Sequence, residues 1–348
     1  MNYLVFILLV LFPLGQLART SFLFNDVAVG AVVFIYAIRN FSKIVRDPIT
    51  KPLVLWVLVM AGSLLINISN YSYSQILAAF FYQLRFLAYS GLYFLAQSHP
   101  LLKRGIILGI ILVGVAGILQ YLLLPDVSFL SAFDWDDHYY RLVSTFLDPG
   151  FTGVILLIGL VASHNPLFFI VIMLTYSRAT YLAYLFSFAV LAIYQKSVKV
   201  FVIAALALAI ALPLLPKSTG EGTKLSRENS IYARINNWKE SISIWQKSPI
   251  FGVGYNTYRY VRTGVTAQSH SGAGADSSIL FVLATTGVVG LLTYLYLLLT
   301  MARLGKNNPT FLAIMAGVFV HSWFNNTLFY PFVLECMWVL LGSRGEST

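Results

Sequence analysis

The chain has 348 residues, 58% of them hydrophobic and only 10% charged, with a formal net charge of +10. A soluble domain carries about 25% charged residues, so this composition excludes a water-soluble globule, and the mean hydropathy of +0.78 agrees. In so apolar a chain the surplus of lysine and arginine points to membrane topology, and no nucleic-acid partner is expected.

Continuous apolar runs such as 106–124 and 278–301 are long enough to cross a bilayer core of roughly 30 Å as helices. They lack the alternation of barrel strands. The sequence therefore predicts an all-α polytopic membrane protein, a single integral membrane domain over 1–348. The opening "MNYLVFILLVLFPLGQLART" lacks a basic leader, and Gln16 stands where a cleavage site needs a small residue. It reads as a retained first helix.

Apolar segments follow at 3–18, 23–38, 52–67, 74–97, 105–124, 149–163, 166–177, 179–195, 199–215, 277–301, 309–323 and 328–343. They give about twelve transmembrane helices, or eleven if one of the shorter segments does not cross. The charges test this layout. Arg39, Lys43, Arg46 and Lys51, then Lys103 and Arg104, Lys196 and Lys199, and Arg303 and Lys306 fall in four loops on one side. By the positive-inside rule that side is cytoplasmic, which puts both termini in the cytoplasm.

Two external segments remain. Residues 125–148 carry Asp126, Asp134, Asp136, Asp137 and Asp148. The stretch "DWDDHYY", with His138, has carboxylates of the kind that bind divalent cations and equally the composition of a solvated loop. The second external segment, 216–276, begins with a polar linker, "KSTGEGTKLSRENS". In the sequence after it, Ile231, Ile235, Trp238, Ile242 and Trp245 recur on one face of an amphipathic helix. Ser230 is placed to cap that helix and Pro249 to end it. Such a helix lies flat on the membrane or against other helices.

Charges at or inside membrane edges are costly and mark function. Arg178 sits in a tight external break, "TYSRATYLAYL", where it either serves a ligand or snorkels to the headgroups. Arg85 lies well inside a span and calls for a polar interior, an anion or a salt bridge. Arg141 stands at an external edge. Guanidinium groups converging on one face suit a phosphate-bearing ligand such as a lipid diphosphate. His99, His164 and His321 read as structural, whereas His270 and Asp276 are external and chemically able to accept a proton from a sugar hydroxyl. The single cysteine, Cys336, supports neither a disulfide framework nor a metal cluster.

Four stretches come in a telling order: "RLVSTFLDPGFTG" (141–153), "SRATYLAYL" (177–185), "ARINNWKESISIWQKSPIFGVGYNTY" (233–258) and "DSSILFVLATTGVVGLL" (276–292). Together, over about 140–295, they resemble the O-antigen ligase and O-antigen polymerase superfamily of membrane glycan transferases. The resemblance implies a GT-C-like helical architecture in the bacterial cytoplasmic membrane. It also implies metal-independent, cofactor-free, inverting transfer of a polyprenyl-diphosphate-linked glycan to an acceptor sugar hydroxyl on the external face. By position, Arg178 and Arg234 match the arginines that hold the diphosphate, with Arg141 and Arg85 as further candidates. The family's helix commonly opens with His-Asn, whereas counting back from Gly287 puts Asp276 and Ser277 there. Three readings stay open: Asp276 takes the role of the base, His270 folds back to take it, or the reaction has drifted and only binding is left. A transporter for lipid-linked oligosaccharides and a cell-wall glycan polymerase are the rival readings.

Overall fold

The computed structural model describes residues 2–20, 22–133, 135–216, 221–262 and 274–343. In chain order the helices are α1 (Asn2–Leu14), α2 (Phe24–Arg46), α3 (Thr50–Ile66), α4 (Tyr73–Ser98), α5 (Leu101–Leu123), α6 (Pro149–Ser163) and α7 (Leu167–Met173). They continue as α8 (Arg178–Tyr194), α9 (Val198–Leu214), α10 (Asn229–Lys247), α11 (Tyr258–Val261), α12 (Ser278–Leu304), α13 (Pro309–His321) and α14 (Pro331–Gly342). Among the described residues there is no β-strand. Helices α2, α5 and α12 are long and apolar enough to cross a membrane, and α3, α6, α8, α9, α13 and α14 are shorter apolar helices. Each of the twelve apolar segments contains helix. The one expected over 166–177 is reduced to α7, whose seven residues reach only about 10 Å and do not cross alone.

The shortness of α6 and α7 has a local cause. The chain before α6 does not stay at the end of the bundle. Ser144 donates from Oγ to the Val113 carbonyl at 2.7 Å, and Val113 lies ten residues before the end of α5, about 15 Å along its axis. Residues 141–148 thus descend beside α5. Gln120 holds them there, its Oε1 accepting from the Val143 and Ser144 N–H groups. At the bottom Asp148 caps α6, accepting from Phe151 N at 2.7 Å, with Pro149 as its first residue. The α7–α8 turn meets the same segment, with Leu142 N donating to Leu174 O at 2.9 Å. A depression is therefore built into the bundle.

Helix α12 is broken in the middle. Gly287 adopts φ +66° and ψ −167°, a conformation open in practice only to glycine. The orphaned backbone groups are satisfied by the "PIFGVG" turn. Val253 N and Gly254 N donate to Ala284 O and Thr285 O, and Val288 N and Val289 N donate to Pro249 O and Ile250 O, at 2.9–3.2 Å. Non-helical backbone at membrane depth persists only where it finds such internal partners. Ser63 of α3 completes the joint, its one hydroxyl proton shared between Phe251 O and Thr285 O, each 2.7 Å from Oγ. The two glycine-bearing motifs of the sequence are the two halves of this joint.

Helix α10 forms as the periodicity predicts, but its apolar stripe faces outward. Ile231, Ile235 and Ile242 are exposed, whereas Asn237, Ser241 and Ile244 are buried. The stripe is thus free to meet lipid. Ser230 does not cap the helix; its hydroxyl is taken by Arg178.

Polar contacts tie the first helices to the last. Asn25 of α2 donates to Glu335 Oε2 of α14 at 2.8 Å and to the Tyr89 hydroxyl at 3.0 Å, and the Tyr89 hydroxyl donates to Asp26. Gln16 donates to the Tyr330 hydroxyl at 3.2 Å.

Candidate functional site

Arg178 opens α8 directly after Ser177, whose hydroxyl caps the helix. Its guanidinium donates to Leu225 O at 3.0 Å, to Arg227 O at 3.2 Å and to Ser230 Oγ. These bonds fasten the stretch leading into α10 over the end of α8. Arg234 sits one turn further along α10 and makes no hydrogen bond among the described residues. The two arginines line one open groove of about 370 Å³ whose other walls are Ala179, Leu182, Ile231, Ile235, Trp238 and Phe324. Its character is apolar apart from the two guanidinium groups.

Arg234 is the electrostatic centre of the region, close enough to act on the charges of Arg178, Arg141, Asp148 and Asp276. Arg141 donates from Nε to Thr175 O at 3.1 Å. Burial, followed by the neighbouring Arg227, pushes its guanidinium down to about 9. A guanidinium keeps its proton in a protein, so Arg141 is a buried cation, with Arg227 and Arg234 adding positive charge and Asp148 opposing it. Arg227 is anchored through Nη2 to Tyr176 O at 3.2 Å. Arg178, Arg234, Arg141 and Arg227 are thus linked by pairwise electrostatic coupling, an arrangement suited to a multiply charged anion.

The carboxylates stand at the edge of this cluster. Burial raises Asp148 above the ordinary carboxylate range, with Phe151 N, Arg141 and Arg234 opposing. Asp276 lies just before α12, whose first turn is capped by Ser277. Its backbone N–H donates to Asn237 Oδ1 at 2.9 Å. Burial raises Asp276 as well, with Arg234 and Arg262 opposing and Asp136 adding to the rise. A carboxylate so placed is a better proton acceptor than one in water. His270 lies outside the described residues, as does Asp134.

Arg85 is set apart from the arginine cluster. It pairs with Asp26, with Nε to Oδ2 at 2.8 Å, and its guanidinium lies 4.5 Å from the Tyr82 ring centre. His138 is buried; burial first, then Arg141 and Arg227, lower it to about 3. No three histidine, cysteine, aspartate or glutamate side chains come together among the described residues.

Sequence reasoning left Asp148, Arg227 and Asn237 without individual roles. For Asp148 a signal existed, since Asp-Pro-Gly before an apolar run is a helix start. Arg227 and Asn237 act through contacts made only by the folded loop.

Residues 166–295 match the family model described as O-antigen ligase. The match takes in the Ser-Arg turn, the Arg-x-x-x-Trp helix, the "PIFGVG" turn and the Thr-Gly-x-x-Gly break, and it begins after the 141–153 stretch. No curated protein matches the chain. Over residues 166–295 the chain is similar to the O-antigen ligase family, the resemblance that the order of its motifs implied.

Proposed function

We propose that this protein transfers a glycan from a polyprenyl diphosphate to an acceptor sugar hydroxyl at the external face of the bacterial cytoplasmic membrane. The observation that carries the reading is the groove in which Arg178 and Arg234 face an otherwise apolar lining. A polyprenyl diphosphate has the matching form, with a long apolar chain ending in a compact polyanion. In this reading the prenyl chain lies against Ile231, Ile235 and Leu182, and the diphosphate lies at the guanidinium groups. About twelve spans, both termini cytoplasmic and an external 216–276 segment are the topology that goes with it.

The reaction follows from the placement of charge. The acceptor oxygen attacks the anomeric carbon, the carbon–oxygen bond to the diphosphate breaks, and configuration inverts. The hydroxyl proton passes to Asp276, or to His270 if that residue reaches the site. Negative charge grows on the leaving diphosphate, where fixed guanidinium groups stabilise it more than in the ground state. They supply positive charge at the position where other glycosyl transfers use a cation.

The test is reconstitution with a polyprenyl-diphosphate glycan and an acceptor glycan, following release of free polyprenyl diphosphate. Arg234→Ala and Asp276→Ala are each expected to slow release by about 100-fold or more, and His270→Ala reports whether that residue shares the role. Wild-type rates in both Arg178→Ala and Arg234→Ala, or movement of intact donor across the membrane without release, would overturn the reading.

A further inference from the structure

A second cavity of about 290 Å³ opens on the other side of Asp148. Its walls include Arg19, Arg85, Asp136, Asp148, Trp135 and Asn326. The charge in this lining differs in kind from that of the arginine groove. Two guanidinium groups face two carboxylates, so the lining is balanced, and Arg85 is further neutralised by Asp26. A balanced set of fixed donors and acceptors does not select a polyanion. It suits a neutral ligand that presents many hydroxyls, each able to donate and accept.

The apolar part of the wall has the flat surfaces that sugar rings stack on. Trp135 stands at the edge. Phe151 and Tyr330 lie face to face with centres 3.9 Å apart and planes 9° from parallel, a rigid pair whose inner faces are spent on each other, so that the half-buried Phe151 is the ring left to meet a sugar. Asn326 contributes a buried Oδ1 with no hydrogen-bond partner, a group whose burial is costly unless a ligand satisfies it. Beyond Asn326 and Arg85 the space continues into a smaller hollow of about 70 Å³.

The position joins this cavity to the chemistry. Asp148 lines it and also feels Arg141 and Arg234, and Asp136 lines it and acts on Asp276. The cavity therefore abuts both the diphosphate cluster and the carboxylate proposed as base. We propose that it is the acceptor subsite, which takes the terminal sugar residues of a neutral glycan and offers one hydroxyl toward Asp276. This rests on the transfer reading above.

The test uses the full-length protein in lipid nanodiscs and saturation-transfer NMR with cellotriose, maltotriose and chitotriose, with inorganic pyrophosphate as the second probe. At least one trisaccharide is expected to bind. Trp135→Ala is expected to weaken it roughly five- to tenfold and Asn326→Ala by a similar factor, both leaving pyrophosphate binding unchanged. Arg234→Ala should do the reverse. In the turnover assay the first two variants should raise KM for the acceptor and leave KM for the donor. No trisaccharide binding, binding indifferent to both substitutions, or a raised donor KM would overturn the subsite. Turnover that persists with normal arginine dependence in that event would leave the transfer reading standing, so the two failures are distinguishable. Because Trp135 and Asn326 lie in connecting segments outside the helices, Trp135→Phe and Asn326→Asp provide folded alternatives, expected to bind more weakly than wild type and more tightly than the alanine variants.

Discussion

Asn237 holds Asp276 in place from the helix that carries Arg234. Its side-chain carbonyl accepts the Asp276 N–H at 2.9 Å, and its amide donates to Gly274 O at 3.1 Å. One buried side chain thus links the proposed base to α10, three residues along that helix from the proposed diphosphate anchor Arg234. Asn237→Ala should lower kcat by roughly 10- to 100-fold, because small losses of alignment are expensive in catalysis. Donor KM should change little. Steady-state kinetics of donor release check both, and an unchanged kcat would remove the positioning role.

Arg178 and Arg234 should separate when stability and activity are measured together. Arg178 is committed to two carbonyls and the Ser230 hydroxyl, so Arg178→Ala leaves those groups unpaired and frees the stretch before α10. A loss of about 1–3 kcal/mol is expected, visible as earlier thermal unfolding and as proteolysis near 221–230. Arg234 makes no such bonds among the described residues, and Arg234→Ala should unfold like wild type while donor release falls. Equal destabilisation by the two substitutions would contradict this division.

The pH dependence of turnover should carry the mark of Asp276. A base must be deprotonated to act, and burial raises this carboxylate above its ordinary range. Activity should therefore fall as pH drops through that raised value, at higher pH than an exposed aspartate would give. Asp276→Asn should abolish the acidic limb along with most of the rate. Asp276→His should restore part of the rate and move the limb toward the imidazole range, near 6.5. A limb unchanged in position in Asp276→His would assign the proton to another group.

Gly287→Ala should be among the most damaging single substitutions in the apolar core. A Cβ there would stand 2.2 Å from Ile250 O, at a φ of +66°. Overlap and backbone strain together predict a loss of at least about 2 kcal/mol. Thermal unfolding in detergent measures it, and Gly62→Ala, where a Cβ would meet nothing within 4 Å, is the control expected to be near neutral.

The helical class and most of the helix positions were legible because hydropathy and period are local properties. Depth was not. The run over 166–177 has the composition of a span, yet only Leu167–Met173 is α-helix, because the neighbouring loop reaches into the bundle and ends the helix early. Periodicity found the apolar face of α10 but not the direction in which it points, since Asn237 and Ser241 are the residues that face inward. Arg178 and Arg234 stood out as external arginines. Their sharing of one groove depends on residues 225–230 folding back onto α8, which no local pattern encodes. The second cavity draws on residues from Gln16 to Pro331 and was invisible for the same reason.

The hydrogen bonds from Asn25 to Glu335 and from Gln16 to Tyr330 span 310 and 314 positions of the chain. Synthesis runs from one end to the other, so the arginine groove, complete by Phe324, is in hand before these long-range partners arrive. A nascent protein halted ahead of Tyr330 would possess its anion clamp while Asn25 waited without its carboxylate and the sugar-sized cavity lacked its Tyr330 and Pro331 wall. The second cavity is thereby finished only after the segment at Tyr330 and Pro331 has joined the helices made first.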